Sequence, residues 1–144
     1  MATSNAATNY LERRLLNYIF KNNSLTFNSP GDNIYVGLAT AVSAAETGSV
    51  TEASFGAYAR QQVAAASWTT IGADSTDTQT AKNTSAIEFP AKSDSGNVTI
   101  THVIIADASS SGNILFVGEL DASKTLAQND IFRINATNLS IELK

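Results

Sequence analysis

The side chains able to do chemistry are few, and their spacing limits what that chemistry is. His102 is the only histidine, and there is no cysteine. A nucleophilic triad needs a base within hydrogen-bond reach of a Ser, Thr or Cys. His102 sits between Thr101 and Val103, inside an apolar β pattern. There it reads as a strand histidine with a structural hydrogen bond. No Gly-x-Ser-x-Gly elbow occurs. A glycosidase would need two carboxylates at a set separation. Asp74, Asp77, Asp94, Asp107, Asp121 and Asp130 instead fall in turn-like stretches, where Asp caps local backbone N–H groups. Asp74-Ser75-Thr76-Asp77 and Asp94-Ser95-Gly96-Asn97 are fragments of a calcium loop at most, because neither continues to a closing Glu. Gly56 and Gly72 stand alone and make no phosphate cradle. The expectation is a non-enzyme with no catalytic residue, no metal and no cofactor.

Binding is the better prospect. Tyr58, Arg60 and Trp68 form the most suggestive group, since aromatics with Arg anchor interfaces. The same residue types also build sugar-binding faces. The structural alternative is that Trp68 fills the core and Arg60 pairs with a carboxylate. Tyr10, Arg13 and Arg14, near the N-terminus, complete the candidate interface residues.

These residues need elements to hold them. Residues 1–8 are small and polar and read as an arm that is flexible unless a partner holds it. Asn9-Tyr10-Leu11-Glu12 has the form of a capping box with Asn9 as N-cap. Leu11, Leu15, Tyr18 and Ile19 follow at helical spacing, and Leu16 and Phe20 widen the stripe. This predicts a helix over 10–21, with Leu15 and Ile19 lying against the sheet or a neighbouring subunit. Beyond it the period falls to two. Strands are expected at 33–39, 87–89, 98–106, 114–120, 131–134 and 139–143. The 98–106 strand is apolar on both faces in its second half, as suits a central, covered position. Residues 44–54 read as a loop. Residues 55–65 read as a strand, with a helix competing because of the alanines. Residues 72–82 read as an exposed loop, and 94–97 and 109–113 as turns. About seven or eight short strands between turn signals predict a mainly β chain: an antiparallel β-sandwich or jelly-roll-like domain with one N-terminal α-helix. One domain over 1–144 is expected, with the sandwich at 33–144.

Composition narrows the function. Charged residues are 15% of the chain, against about 25% in ordinary globular proteins. Low charge and many small polar residues suit surfaces that will be covered, since burying a charge costs more than burying a hydroxyl that finds a partner. Nine Lys and Arg face thirteen Asp and Glu, a net charge of −4. That argues against a nucleic-acid binder, which needs clustered cations, and against docking on an anionic membrane. Residues 1–8 carry no basic residue and do not read as a secretory signal. No apolar run nears the ~20 residues of a membrane helix.

Five pieces in order resemble small virion structural proteins of tailed bacteriophages, of the capsid-decoration and tail or tail-fibre-like kinds. They are Asn9-Tyr10-Leu11-Glu12 to Phe20; Ile34-Tyr35-Val36-Gly37-Leu38; Thr51-Glu52 through Gly56-Ala57-Tyr58-Ala59-Arg60 to Trp68; Asn83 to Phe89-Pro90-Ala91; and Val103-Ile104-Ile105-Ala106-Asp107 through Gly112-Asn113 to Leu120. The resemblance spans almost the full length and brings no catalytic motif. It implies a virion protein, made in the host cytoplasm, whose partners are copies of itself and a major capsid protein or a tail protein. A trimer is the favoured number, since trimers suit local threefold positions. Capsid decoration leads, and the alternative is a tail or tail-fibre/baseplate component with a carbohydrate-binding role.

Overall fold

The protein is described by a computed structural model, which covers residues 5–21, 34–69 and 79–143. In chain order the elements are β1 (Ala6–Ala7), α1 (Asn9–Lys21), β2 (Ile34–Ala44), β3 (Ser49–Glu52), β4 (Gln61–Val63), a 3-10 turn (Ala65–Ser67), β5 (Gln79–Lys82), β6 (Ile87–Glu88), β7 (Val98–Ala106), β8 (Ile114–Leu126), β9 (Arg133–Ile134) and β10 (Ser140–Leu143). The fold is mainly β, with one helix near the N-terminus, as the periodicity predicts.

The main sheet is antiparallel and runs β1-β8-β7-β2-β3, with β4 also pairing β2. β7 is central. Ile100 and Val103, three positions apart, both enter the main core with Val36 and Leu38 of β2, because an irregularity between Ile100 and His102 switches the alternation. Ile87, Phe89, Phe132 and Ile134 pack onto this face. The second layer consists of two-stranded ribbons, β6 with β9 and β5 with β10, rather than a second full sheet. The opposite face carries a smaller cluster of Ala39, Ala45, Ile104 and Val117. Gly37 is dictated by this close packing. A Cβ there would lie 2.9 Å from the Tyr58 hydroxyl and 3.0 Å from Ile104 Cγ1.

Several local expectations are corrected. Of the arm expected at 1–8, residues 6–7 are an edge strand on β8, registered Ala6 to Val117 and Ala7 to Phe116; residues 1–4 lie outside the described residues. The helix N-cap is Thr8, not Asn9. The Thr8 hydroxyl donates to the Ile114 carbonyl at 2.6 Å and accepts from Leu11 N–H at 3.4 Å. The stretch 44–54 is not a loop throughout. It holds β3, which pairs back onto β2 around a turn closed by Gly48 N–H to Ala45 O, with Gly48 at φ +69°. Residues 55–65 are neither a full strand nor a helix, because Ala57 adopts φ +69° and only Gln61–Val63 joins the sheet. Residues 79–82 of the expected 72–82 loop form β5, and 72–78 fall outside the described residues. The 94–97 turn links β6 to β7, which do not pair with each other. The described part of the domain, residues 34–69 and 79–143, carries all of these strands except β1.

Candidate interaction surface

Arg60 is 9% exposed, and its guanidinium is engaged within the chain. Nε and Nη2 donate to the two carboxylate oxygens of Glu52, both at 2.8 Å. Nη1 donates to the carbonyls of Ala108 and Ser111, also at 2.8 Å. This bidentate fork ties the end of β3 to the β7–β8 loop. The Tyr58 hydroxyl joins it, donating to Glu52 Oε1 at 2.8 Å and accepting from Leu38 N–H at 2.9 Å. The second bond fills a gap in the β2 ladder between β3 and β4. Burial pushes the Glu52 carboxyl up, but hydrogen bonds from Arg60 and Tyr58, with the Arg60 charge, carry it below its usual value. Burial first, and then the Glu52 contact, push the Tyr58 phenol well above its ordinary value. The Tyr58 ring stands edge-on to Phe55 and stacks at 6.2 Å over Phe89. Trp68 is half-buried against the same core and bridges Asn83. Arg60 with a carboxylate and Trp68 on the core match the structural alternative for these residues.

His102 is 8% exposed, and its Nδ1 lies 2.8 Å from the Thr101 hydroxyl. Its cross-strand neighbours are Ala39 and Glu119. Three of the aspartates close turns. Asp107 accepts from Asn113 N–H and Nδ2–H, Asp130 accepts from Ala127 N–H, and Asp94 pairs with the buried Lys92 ammonium at 2.8 Å. The hydrogen bond from Lys92, then one from the Gly56 backbone, hold the Asp94 carboxyl below its usual value. Asp121 departs from expectation and lies on β8, in a stretch where residues 120–123 bulge out opposite Thr101. Asp74 and Asp77 are outside the described residues. Among the described residues, no three His, Asp or Glu side chains come together as a metal site.

Two surface features stand out among the described residues, an exposed apolar helix face and a groove. The first is α1, which carries Tyr10, Arg13 and Arg14. The Arg14 guanidinium lies 5.2 Å over the Tyr10 ring. No residue of the helix is buried. Leu15 is 42% exposed, Leu16 56%, Tyr18 53%, Ile19 57% and Phe20 73%. Of the two covers expected for Leu15 and Ile19, the sheet is not the one they meet, since both stand exposed in the single chain. The second surface is a groove of about 760 Å³. The main sheet lines one side with Val103, Ile105, Phe116 and Leu120, and Leu139 and Ile141 line the other. Glu119, Asp121 and Glu142 stand at it as well. The alternation of Leu139 and Ile141 was readable in the sequence. Their position opposite β8 was not, because it follows from the β5–β10 pairing over about 60 residues of chain.

The ordered segments that resemble phage virion proteins have a counterpart among known families. The model of the family described as "Podophage GP4 fiber I protein gp80" matches residues 6–142. No curated protein matches the chain significantly. The family match backs the tail-fibre alternative over capsid decoration. It spans all twelve elements up to the last residues of β10, from the β1 edge strand through the exposed helix to the groove. The chain belongs to the podophage GP4 fiber I protein gp80 family, a family of phage virion structural proteins.

Proposed function

We propose that the chain is a non-enzymatic component of a short-tailed phage's fibre, self-associating and joined to another tail protein. The structural observation that carries self-association is α1. Five of the six large apolar side chains left exposed among the described residues lie on this one helix. Monomeric proteins rarely leave such a contiguous patch uncovered. The fibre assignment draws on the family match over residues 6–142. A homo-oligomer is the expected form, with three copies favoured. Synthesis in the host cytoplasm precedes incorporation into the virion. Gold labelling of a tagged copy on intact particles tests the location, and label should cluster at the tail. Label distributed over the head shell would overturn the fibre reading.

A further inference from the structure

We propose that α1 is itself the three-fold contact: the apolar faces of three copies pack on one another about a common axis, in parallel and centred on residues 15–20. This deepens the self-association reading above and rests on it. At ~100° per residue the helix divides lengthwise into two sides. Tyr10, Arg14 and Asn17 are half-buried and share one side. Leu16 and Ile19 stand exposed on the opposite side, flanked by Leu15 and Phe20. Exposure climbs from Leu15 to Phe20, so the need for a cover is greatest in the C-terminal half, away from the Thr8 cap.

Two quantities favour the same helix of other copies as that cover. The first is the width of the apolar arc. From Tyr18 through Leu15, Ile19 and Leu16 to Phe20 it spans about 200° of the helix circumference. The a/d seam of a two-stranded coil is much narrower, so one neighbour would leave a large part of the arc wet. Two neighbours cover it, and each helix meets two in a ring of three. Copies in such a ring are related by rotation about one axis, so their helices run the same way. The second quantity is area. The exposed parts of Leu15, Leu16, Tyr18, Ile19 and Phe20 come to about 600 Å² on each copy, close to the ~800 Å² per partner of a standard interface. Charge permits the contact. Arg13, Arg14 and Lys21 lie roughly 120–160° round the helix from Ile19 and stay at the margin, in water. Glu12 is the exception, since it projects between Ile19 and Leu16, within the arc. It lies seven residues before Ile19, about 10 Å along the axis. A parallel ring gathers three Glu12 carboxylates at one end of the contact, so Glu12 limits how tightly the ring closes.

The natural chain has no cysteine, so a single engineered thiol reports cleanly. Full-length Ile19→Cys and full-length Asn17→Cys are each treated with a short bis-maleimide, and the products are resolved by mass. Neither substitution removes a buried side chain. Ile19→Cys should give covalent dimers, and Asn17→Cys, on the opposite side of the helix, almost none. An oligomer in which Ile19→Cys fails to link, or in which Asn17→Cys links equally well, would overturn the proposal and place the contact on another surface. Light scattering of the wild type should give the mass of three chains, and a mass of two would overturn the ring. Glu12→Gln should tighten association roughly tenfold in sedimentation equilibrium, because it removes like charges brought together. Unchanged or weaker association would overturn the parallel arrangement, since antiparallel helices keep these carboxylates apart. A wild-type monomer at high concentration removes the self-association reading together with this contact, whereas an oligomer without the Ile19 link removes the contact alone. Label on the head shell removes the fibre reading and leaves the cross-link result standing.

Discussion

Arg60 shows how a residue type can be legible while its direction is not. Its place beside Tyr58 and Trp68 suggests a binding face. The irregular backbone at 53–60 instead carries it over Gly37 toward the β7–β8 loop. Glu52, eight positions earlier, had no signal marking it as the partner, because a bidentate pair across an irregular segment has no sequence period. Asp107 and Asp130 were easier, since their bonds are to backbone a few residues away. Removing Arg60 leaves Glu52 half-buried without its cation and strips two loop carbonyls of their donor. Arg60→Ala should cost ~2–4 kcal/mol in urea unfolding, the lower part of the range for breaking a buried pair because Glu52 keeps some access to water. The pair also sets an acid limit. Glu52 has a lower pKa folded than unfolded. Its contribution is therefore complete above the ordinary glutamate value and is lost as pH falls through the folded value. Melting curves from neutral to acid pH should fall less steeply for Glu52→Gln than for the natural chain, from a lower start at neutral pH. Parallel curves would mean that the carboxyl is not stabilised by its neighbours.

At the scale of elements, what was legible was what hydrophobic period encodes. β7, the helix and the last strand were readable because their apolar residues recur every second position, or every third and fourth. β3 and the far half of β8 were not. Ser49–Glu52 is polar but for Val50, and Lys124 and Thr125 are polar; these join the sheet through backbone ladders that any residue can make, while residues 120–123 bulge out. The helix itself was readable, but its packing was not, since an apolar stripe does not say what covers it. Its anchor is narrow: β1 on β8 and the Thr8 cap on the Ile114 carbonyl. A helix of 13 residues with no buried side chain has little to hold it beyond its first turn, because isolated helices of that length are marginal in water. Hydrogen exchange followed by mass spectrometry at two protein concentrations should therefore separate the elements. In dilute solution the amides of α1 should exchange far faster than those of β2 and β7, and they should gain protection at high concentration. Equal protection of α1 and β7 in the dilute sample would mean that the helix is held by its own domain.

For the molecule as a whole, the uneven charge decides how assembly responds to salt. Outside residues 9–21 the chain has six cations and twelve acids, whereas the helix has three cations and one acid. At about 100° per residue Arg13, Arg14 and Lys21 lie roughly 120–160° round the helix from Ile19, so a contact centred on the apolar stripe leaves them at its margin. Apolar burial is unweakened or strengthened by salt. The net charge of −4 makes copies repel one another at low salt, and that repulsion is screened as the Debye length falls from about 14 Å at ~0.05 M to about 4 Å at ~0.5 M. Self-association through the stripe, measured by sedimentation equilibrium, should therefore hold or strengthen over that range. An association constant that falls with salt would mean that ion pairs between copies, and not the stripe, carry the contact.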